Sequence, residues 1–536
     1  MKRLVVLASA ASLGAASLAA APLVAQAATA KAPAVSWGTC SNETVKFYES
    51  AYGVTAQCGN LQVPLDYQHP QGKKITLALS RVQHTGTAAQ YKGALVVNPG
   101  GPGGAGTPFG VRVAGQSSAA LKAAYDFIGF DPRGVGDSVP ALTCDNDYFK
   151  PVRPAYKPEN KAAELAWLKK SAAYAKACGQ KWGWMLDHMK TTDAVHDMDA
   201  IRGALGQKKL NYYGASYGTA LGSVYATLFP NKVGRMVLDS NVRPSGEWYD
   251  DNIDQDYAFD RNLNIFFGWI AKYDSTYHLG TKQSTVRDFY YATRAKLLKT
   301  PISAQLDPAD PAVTKVGGDE MDDAFLTAGY RASQAIWGEL AGALSALKAG
   351  QTTPMVQAFA DFGLTTDDNG FAVYNAVQCT DAAWPRNWAK WHQDSVKVDK
   401  AAPFETWNNA WYNAPCAFWP AKAGKPVDVG SRKGLPGILL FQATLDAATP
   451  FSGGVEMHKR FKGSSLVIED GGKTHGIVHR GNAPIDAYFD AYLLNGTLPP
   501  STVHVSALPD PVPPATAAAR TLTAKKSVMT DLIGRP

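Results

Sequence analysis

Past its first two dozen residues, this 536-residue chain has no apolar run long enough to cross a bilayer. It has no Cys-x-x-Cys pair, which speaks against a zinc site. Its lysines and arginines form no run longer than a pair such as Lys525-Lys526. The formal charge of +7 is spread thinly, so mild basicity reads as solubility and not as a nucleic-acid footprint. The glycine loop that follows Asn98 holds Pro99 and Pro102, which lack amides, and no Gly-Lys-Ser/Thr follows it. A phosphate cradle is therefore disfavoured. No metal or cofactor motif is present, and neither is expected.

What is there begins with a targeting segment. Lys2-Arg3 is followed by an alanine-rich apolar stretch over 4–21, then by Ala25-Gln26-Ala27 and Ala28-Thr29-Ala30. This pattern predicts a signal peptide over residues 1–30, cut after Ala27 or Ala30. The mature chain is then expected to be secreted, extracellular, unattached to membrane and monomeric, with a charge of about +5. Its six cysteines are Cys40, Cys58, Cys144, Cys178, Cys379 and Cys416. An even count in a secreted chain implies three disulfides, and nearest-neighbour closure (40–58, 144–178, 379–416) is the expected choice among about fifteen pairings.

Apolar runs bounded by turn residues alternate with helical patterns. Residues 61–65 and 75–82 alternate with period two and predict a hairpin. Short strands are predicted at 94–97, 127–130, 210–213, 235–238, 437–441 and 465–468, the last of the series. A helix is predicted from Thr192, where Val195, Met198, Ile201 and Leu205 recur at three- and four-residue steps. Such alternation implies an α/β fold, a doubly wound, mostly parallel sheet with helices on both faces and sites beyond the strands' C-terminal ends. Residues 244–431 break the pattern: they look helical and carry nine of the 13 tryptophans. The expected layout is an α/β core over 31–243 and 432–508, a helical cap inserted at 244–431, and a loosely held Pro/Ala-rich tail over 509–536.

Gly214-Ala215-Ser216-Tyr217-Gly218 follows a strand-like run and precedes a helix-like one. A nucleophile on a sharp strand-to-helix turn needs side-chain-free neighbours, and the helix then aims its first amides at a developing oxyanion. A serine nucleophile needs a base, and the base needs an orienting carboxylate. Asp446 follows the 437–441 strand, and His475 sits in a glycine-rich loop after the 465–468 strand. The order Ser216, Asp446, His475 is the one doubly wound hydrolases use. Asp239 is a rival acid; His479 and His458 are rival bases. The Tyr217 amide and the glycine loop at Gly101 are the expected oxyanion donors. Asp131-Pro132-Arg133-Gly134 reads as a structural turn.

On these motifs the chain resembles the secreted tripeptidyl aminopeptidase branch of the α/β-hydrolases, related to prolyl aminopeptidases. The resemblance also rests on Val63-Pro64-Leu65-Asp66-Tyr67, Cys379-Thr380-Asp381, Thr449-Pro450 and Tyr492-Leu493-Leu494-Asn495-Gly496. It implies Ser216, Asp446 and His475 as a triad releasing short peptides, often tripeptides, from free N-termini of peptides or proteins. One departure is Thr474, where glycine usually precedes the histidine. An enzyme that counts from the N-terminus needs a carboxylate for the substrate ammonium. Glu247, Asp250, Asp251 and Asp381 are the candidates, with Asp254 and Asp256 nearby. The alternative is a secreted carboxylic-ester hydrolase with the same triad.

Overall fold

The protein, seen in a computed structural model, is described over residues 35–246, 248–306, 311–364 and 368–513. The predicted signal peptide, Glu247 and the tail from 514 lie outside the described residues.

Strands β1 (Ser36–Thr39), β2 (Ala56–Pro64) and β3 (Lys74–Val82) open the chain, followed by β4 (Gly93–Asn98), β5 (Tyr125–Phe130), β6 (Leu210–Ala215) and β7 (Val233–Asp239). A small antiparallel hairpin, β8 (Ile302–Gln305) and β9 (Val313–Val316), stands apart. Strands β10 (Leu439–Ala443), β11 (Ser465–Asp470) and β12 (Thr502–Ser506) complete the main sheet. Its ten strands among the described residues run β1-β2-β3-β5-β4-β6-β7-β10-β11-β12. Pairing is antiparallel from β1 to β5 and parallel from β5 onward. The predicted hairpin is β2–β3. The predicted last strand, however, has a successor: β12 extends the sheet past β11. Its short polar-flanked sequence (Thr-Val-His-Val-Ser), with only Val505 buried, hid it.

Every residue of β4 and β6 is buried, as parallel strands covered on both faces must be. Alternate side chains feed separate cores: Ala94 and Val96 join one, Leu95 and Val97 the other. That is the signature of helices on both faces, and each face draws about 25 cal/mol per Å² from the apolar area it removes from water.

Between β7 and β10 the chain runs through a series of helices from Tyr249–Lys272 to Thr406–Asn413. Phe259, Phe266, Trp269, Phe325, Trp337 and Leu340 build a core of their own there. Trp384, Trp391, Trp407, Trp411 and Trp419 pack instead with the sheet's core, where Trp167 stacks on Trp411 at 5.6 Å. Near the C-terminus, Trp269 Nε1 donates to the Pro511 carbonyl at 2.7 Å, and Lys473 pairs with Asp510 at 2.8 Å. These contacts tie down the start of the expected tail at Asp510 and Pro511.

The cysteines pair in sequence order: Cys40–Cys58, Cys144–Cys178 and Cys379–Cys416. Arg133 lies buried, bound to both Asp197 carboxylate oxygens at 2.7 Å and to the carbonyls of Leu65 and His188. The Asp131-Pro132-Arg133-Gly134 loop is thus structural. Among the described residues no helix is long and apolar enough to cross a membrane.

Candidate active site

The loops at the C-terminal ends of β4, β6, β7, β10 and β11 meet at one end of the sheet, where open α/β sheets bind ligands. Ser216 is held between β6 and the Tyr217–Leu228 helix with φ 57° and ψ −129°, a conformation that costs a non-glycine residue about 1–3 kcal/mol. Its amide donates to the Asp239 carbonyl at 3.0 Å, and Thr219 Oγ1 donates to its carbonyl at 2.6 Å. The glycines around it are spacers. A Cβ on Gly214 would lie 2.4 Å from the Gly218 carbonyl oxygen, and one on Gly218 would lie 2.8 Å from that of Asn98. Gly100, with φ 98°, brings its backbone so close that a Cβ would stand 2.8 Å from the Tyr217 amide nitrogen. Asn98 Oδ1 accepts from the Gly100 amide at 2.9 Å and so shapes that loop. Gly101, Ser216 and Tyr217 line one pocket. The first helical amides, Tyr217's among them, have no partner four residues back.

Asp446 and His475 come together as the sequence order implies. His475 Nδ1 lies 2.9 Å from Asp446 Oδ2 and 3.0 Å from Oδ1, both side chains buried. Asp446 also accepts the amides of Ala448 and Thr449 at 2.9 Å and the Thr449 hydroxyl at 2.9 Å. The His475 amide donates to the Tyr330 carbonyl at 2.8 Å, and the Tyr330 ring meets the imidazole edge-on at 5.7 Å. His475 Nε2 is buried and makes no hydrogen bond.

The rivals have other employment. Asp239 accepts the Ile477 and Val478 amides at 3.0 Å and the Tyr213 hydroxyl at 3.1 Å, which ties the histidine loop to β7. His479 meets the Phe489 ring edge-on at 5.1 Å, and burial pushes its imidazole down to about 4. His458 bonds Ser464 and Ser501.

The pocket's other wall comes from the helical region. The Tyr249–Lys272 helix contributes Asp251, Asn252, Asp254 and Gln255; Tyr330 ends the Gly318–Tyr330 helix; Tyr374 and Gln378 stand on the Asn369–Asp381 helix. Asp251 Oδ1 meets Arg243 Nε at 3.1 Å, whereas Oδ2 is buried without a partner. Burial pushes its carboxyl up to about 8; Arg243 opposes that shift and Asp254 adds to it. Burial outweighs the ion pair because water is excluded while the single contact spans only one oxygen. Asp254, also paired with Arg243 at 3.1 Å, is more exposed.

Asp250, Asp256 and Asp381 do not line this pocket. Asp250 is exposed on its helix, and Asp256 is buried against Asn409. Asp381 lines an adjoining cavity, its oxygens taken by the Thr191 amide and hydroxyl at 2.6 Å, and burial pushes it up to about 6. Thr191 in turn meets the Tyr217 hydroxyl at 2.7 Å, so Asp381 positions the Tyr217 ring. Both cavities share Val242, Arg243, Trp248 and Asp251.

Three further residues carry the site, although no role was assigned to them from the sequence. Thr449 binds the acid, Arg243 the pocket carboxylates, and Tyr330 the histidine backbone. Only Thr449 had a readable signal: Asp-x-x-Thr is an Asx-turn sequence, and Asp446 makes that turn.

Several known proteins are similar to this chain. Residues 402–504 match the family model described as TAP-like protein. Tripeptidyl aminopeptidase of Streptomyces lividans is 44% identical over 450 residues, covering 82% of this chain and 82% of that protein. Serine protease Hip1 of Mycobacterium tuberculosis (strain ATCC 25618 / H37Rv) is 32% identical over 489 residues, covering 87% of this chain and 90% of that protein. Among solved structures, a proline iminopeptidase of Mycobacterium smegmatis matches with TM-score 0.32 and 14% identity, covering 82% of this chain and 97% of that one. The chain belongs to the tripeptidyl aminopeptidase family, serine hydrolases of the α/β-hydrolase fold.

Proposed function

We propose that this protein is a secreted serine exopeptidase that releases short peptides, tripeptides foremost, from free N-termini through Ser216, His475 and Asp446. The observation that carries the reading is the Asp446–His475 pair at 2.9 Å, together with Asp239, which holds both the Ser216 amide and the Ile477 and Val478 amides of the histidine loop. Ser216 Oγ attacks the scissile carbonyl while His475 Nε2 takes its proton. Asp446 holds Nδ1–H and stabilises the imidazolium. The tetrahedral oxyanion is received by the amides of Tyr217 and Gly101. His475 then protonates the leaving amine, and water hydrolyses the acyl-enzyme.

Asp251, with Asp254 beside it, is the carboxylate we assign to the substrate ammonium. A charged amine entering this pocket meets a buried oxygen that lacks a partner. Its distance from Ser216 would set product length. The acidic lining also favours a peptide over an ester, because an ester substrate offers nothing to offset a buried carboxylate. Secretion follows from the N-terminal signal pattern, and the three disulfides accord with an oxidising compartment. The names of the two relatives point the same way. The reading is tested by a Ser216→Ala variant, which should lose hydrolysis of peptide substrates while remaining folded; retained activity would overturn it.

A further inference from the structure

A second cavity adjoins the one lined by Ser216, and no step of the hydrolysis uses it. It measures about 90 Å³ and meets the first at Val242, Arg243, Trp248 and Asp251, which line both. Its walls are mainly apolar and come from separate elements. Ala220 and Val224 stand on the Tyr217–Leu228 helix that follows Ser216, Met457 on the Phe451–Arg460 helix, and Pro426 and Val427 on the segment before β10. Trp248 stands at the shared boundary with φ 72°, its ring 5.8 Å from that of Tyr217. A non-glycine residue stays in that backbone region only where its surroundings hold it, and such residues cluster at ligand sites.

Most polar groups lining this cavity already have partners. Asp381 is bound by the Thr191 amide and hydroxyl, and the Lys190 ammonium donates to the Asp187 carbonyl. Ser223 Oγ donates to the Ala220 carbonyl at 3.0 Å, and Lys425 is exposed. The exception is Asp251, whose Oδ2 is buried without a partner. A polar side chain entering here would give up its water for few partners, whereas an aliphatic one gains by leaving water. An apolar cavity of about 150 Å³ holds benzene. One of about 90 Å³ therefore suits a branched aliphatic side chain and not an indole.

A peptide whose ammonium is held by Asp251 ends at the boundary between the two cavities. Its first Cβ is two bonds from the ammonium nitrogen, so the N-terminal side chain departs from the point where the second cavity begins. We propose that this cavity is the specificity pocket for that side chain, and that the enzyme prefers substrates beginning with valine, leucine or isoleucine. The inference rests on the assignment of Asp251 to the substrate ammonium, and it names the substrate class which that assignment leaves open.

The test compares kcat/KM for tripeptide p-nitroanilides X-Ala-Ala, with X as glycine, alanine, leucine, tryptophan, lysine or aspartate, each free and N-acetylated. Each buried methylene is about three- to fourfold in kcat/KM. The free leucine substrate should therefore exceed the free alanine one by about tenfold or more, and those with tryptophan, lysine and aspartate should fall below leucine. Val427→Trp and Ala220→Leu narrow the cavity from two walls. The leucine-to-glycine ratio should drop in both, and a ratio does not depend on how much of each variant folds. Free substrates preferred over acetylated ones with no dependence on X overturn this inference alone, as does a ratio unchanged in both variants. Free and acetylated substrates cleaved alike remove the ammonium assignment, and this inference with it.

Discussion

Thr449 donates its hydroxyl to Asp446 Oδ2 at 2.9 Å, the same oxygen that His475 Nδ1 meets at 2.9 Å. With two backbone amides on Oδ1, the buried carboxylate takes four donors and no solvent. A carboxylate so satisfied stays fixed, and it fixes the imidazole in turn. The Tyr249–Lys272 helix steadies the same loop: Arg261 and Asn262 bind the carbonyls of Asp446 and Leu445 at 3.2 and 2.8 Å.

Thr449→Val should therefore lower kcat about tenfold or more with little change in KM. A hydrogen bond to a charged group contributes about 1.5–3 kcal/mol, and about 1.4 kcal/mol is tenfold in rate. Thr449→Ser, which keeps the donor, should retain most activity. Steady-state kinetics of both variants checks this; equal losses would show a packing role instead.

Asp251→Asn should raise KM for peptides with a free N-terminus tenfold or more and leave unfolding reversible. The pH dependence is the sharper readout. With its carboxyl raised from 3.8 to about 8, the folded state holds a proton that the unfolded state releases. This group's contribution to stability is therefore full below about pH 4, is lost as pH rises to about 8, and is flat above that. The charged form needed to meet an ammonium becomes abundant only as pH nears 8. KM should fall across that rise in the parent and stay level in Asp251→Asn, while the variant also loses the matching slope in Tm against pH.

Gly214→Ala should be destabilising by about 3 kcal/mol, because the added methyl meets the Gly218 carbonyl at 2.4 Å and neither backbone can yield. Chemical denaturation reads the loss. An alanine tolerated there at full stability would show that the turn is looser than described.

Asp197→Asn should cost about 3–5 kcal/mol by stranding buried Arg133. Activity of the molecules still folded should be unchanged, since the pair lies in the scaffold. A fall in kcat without a fall in Tm would contradict that placement.

The central strands were readable because β4 and β6 are short continuous apolar runs, and the elbow because its glycines are sterically required. The order of Ser216, Asp446 and His475 was legible for the same reason: each follows a strand. What escaped the sequence depends on side chains meeting across long separations. Asp381 and Asp251 look alike in a string of letters, yet burial commits one to Thr191, 190 residues away, and leaves the other facing the pocket. β12 escaped because an edge strand need not be apolar.

The central claim, hydrolysis counted from a free N-terminus, is tested most directly by chromogenic peptides of one to four residues, each free or N-acetylated. Release from the free tripeptide should exceed that from its acetylated form by at least tenfold and exceed that from shorter and longer free peptides. Equal cleavage of free and acetylated tripeptides would contradict the account.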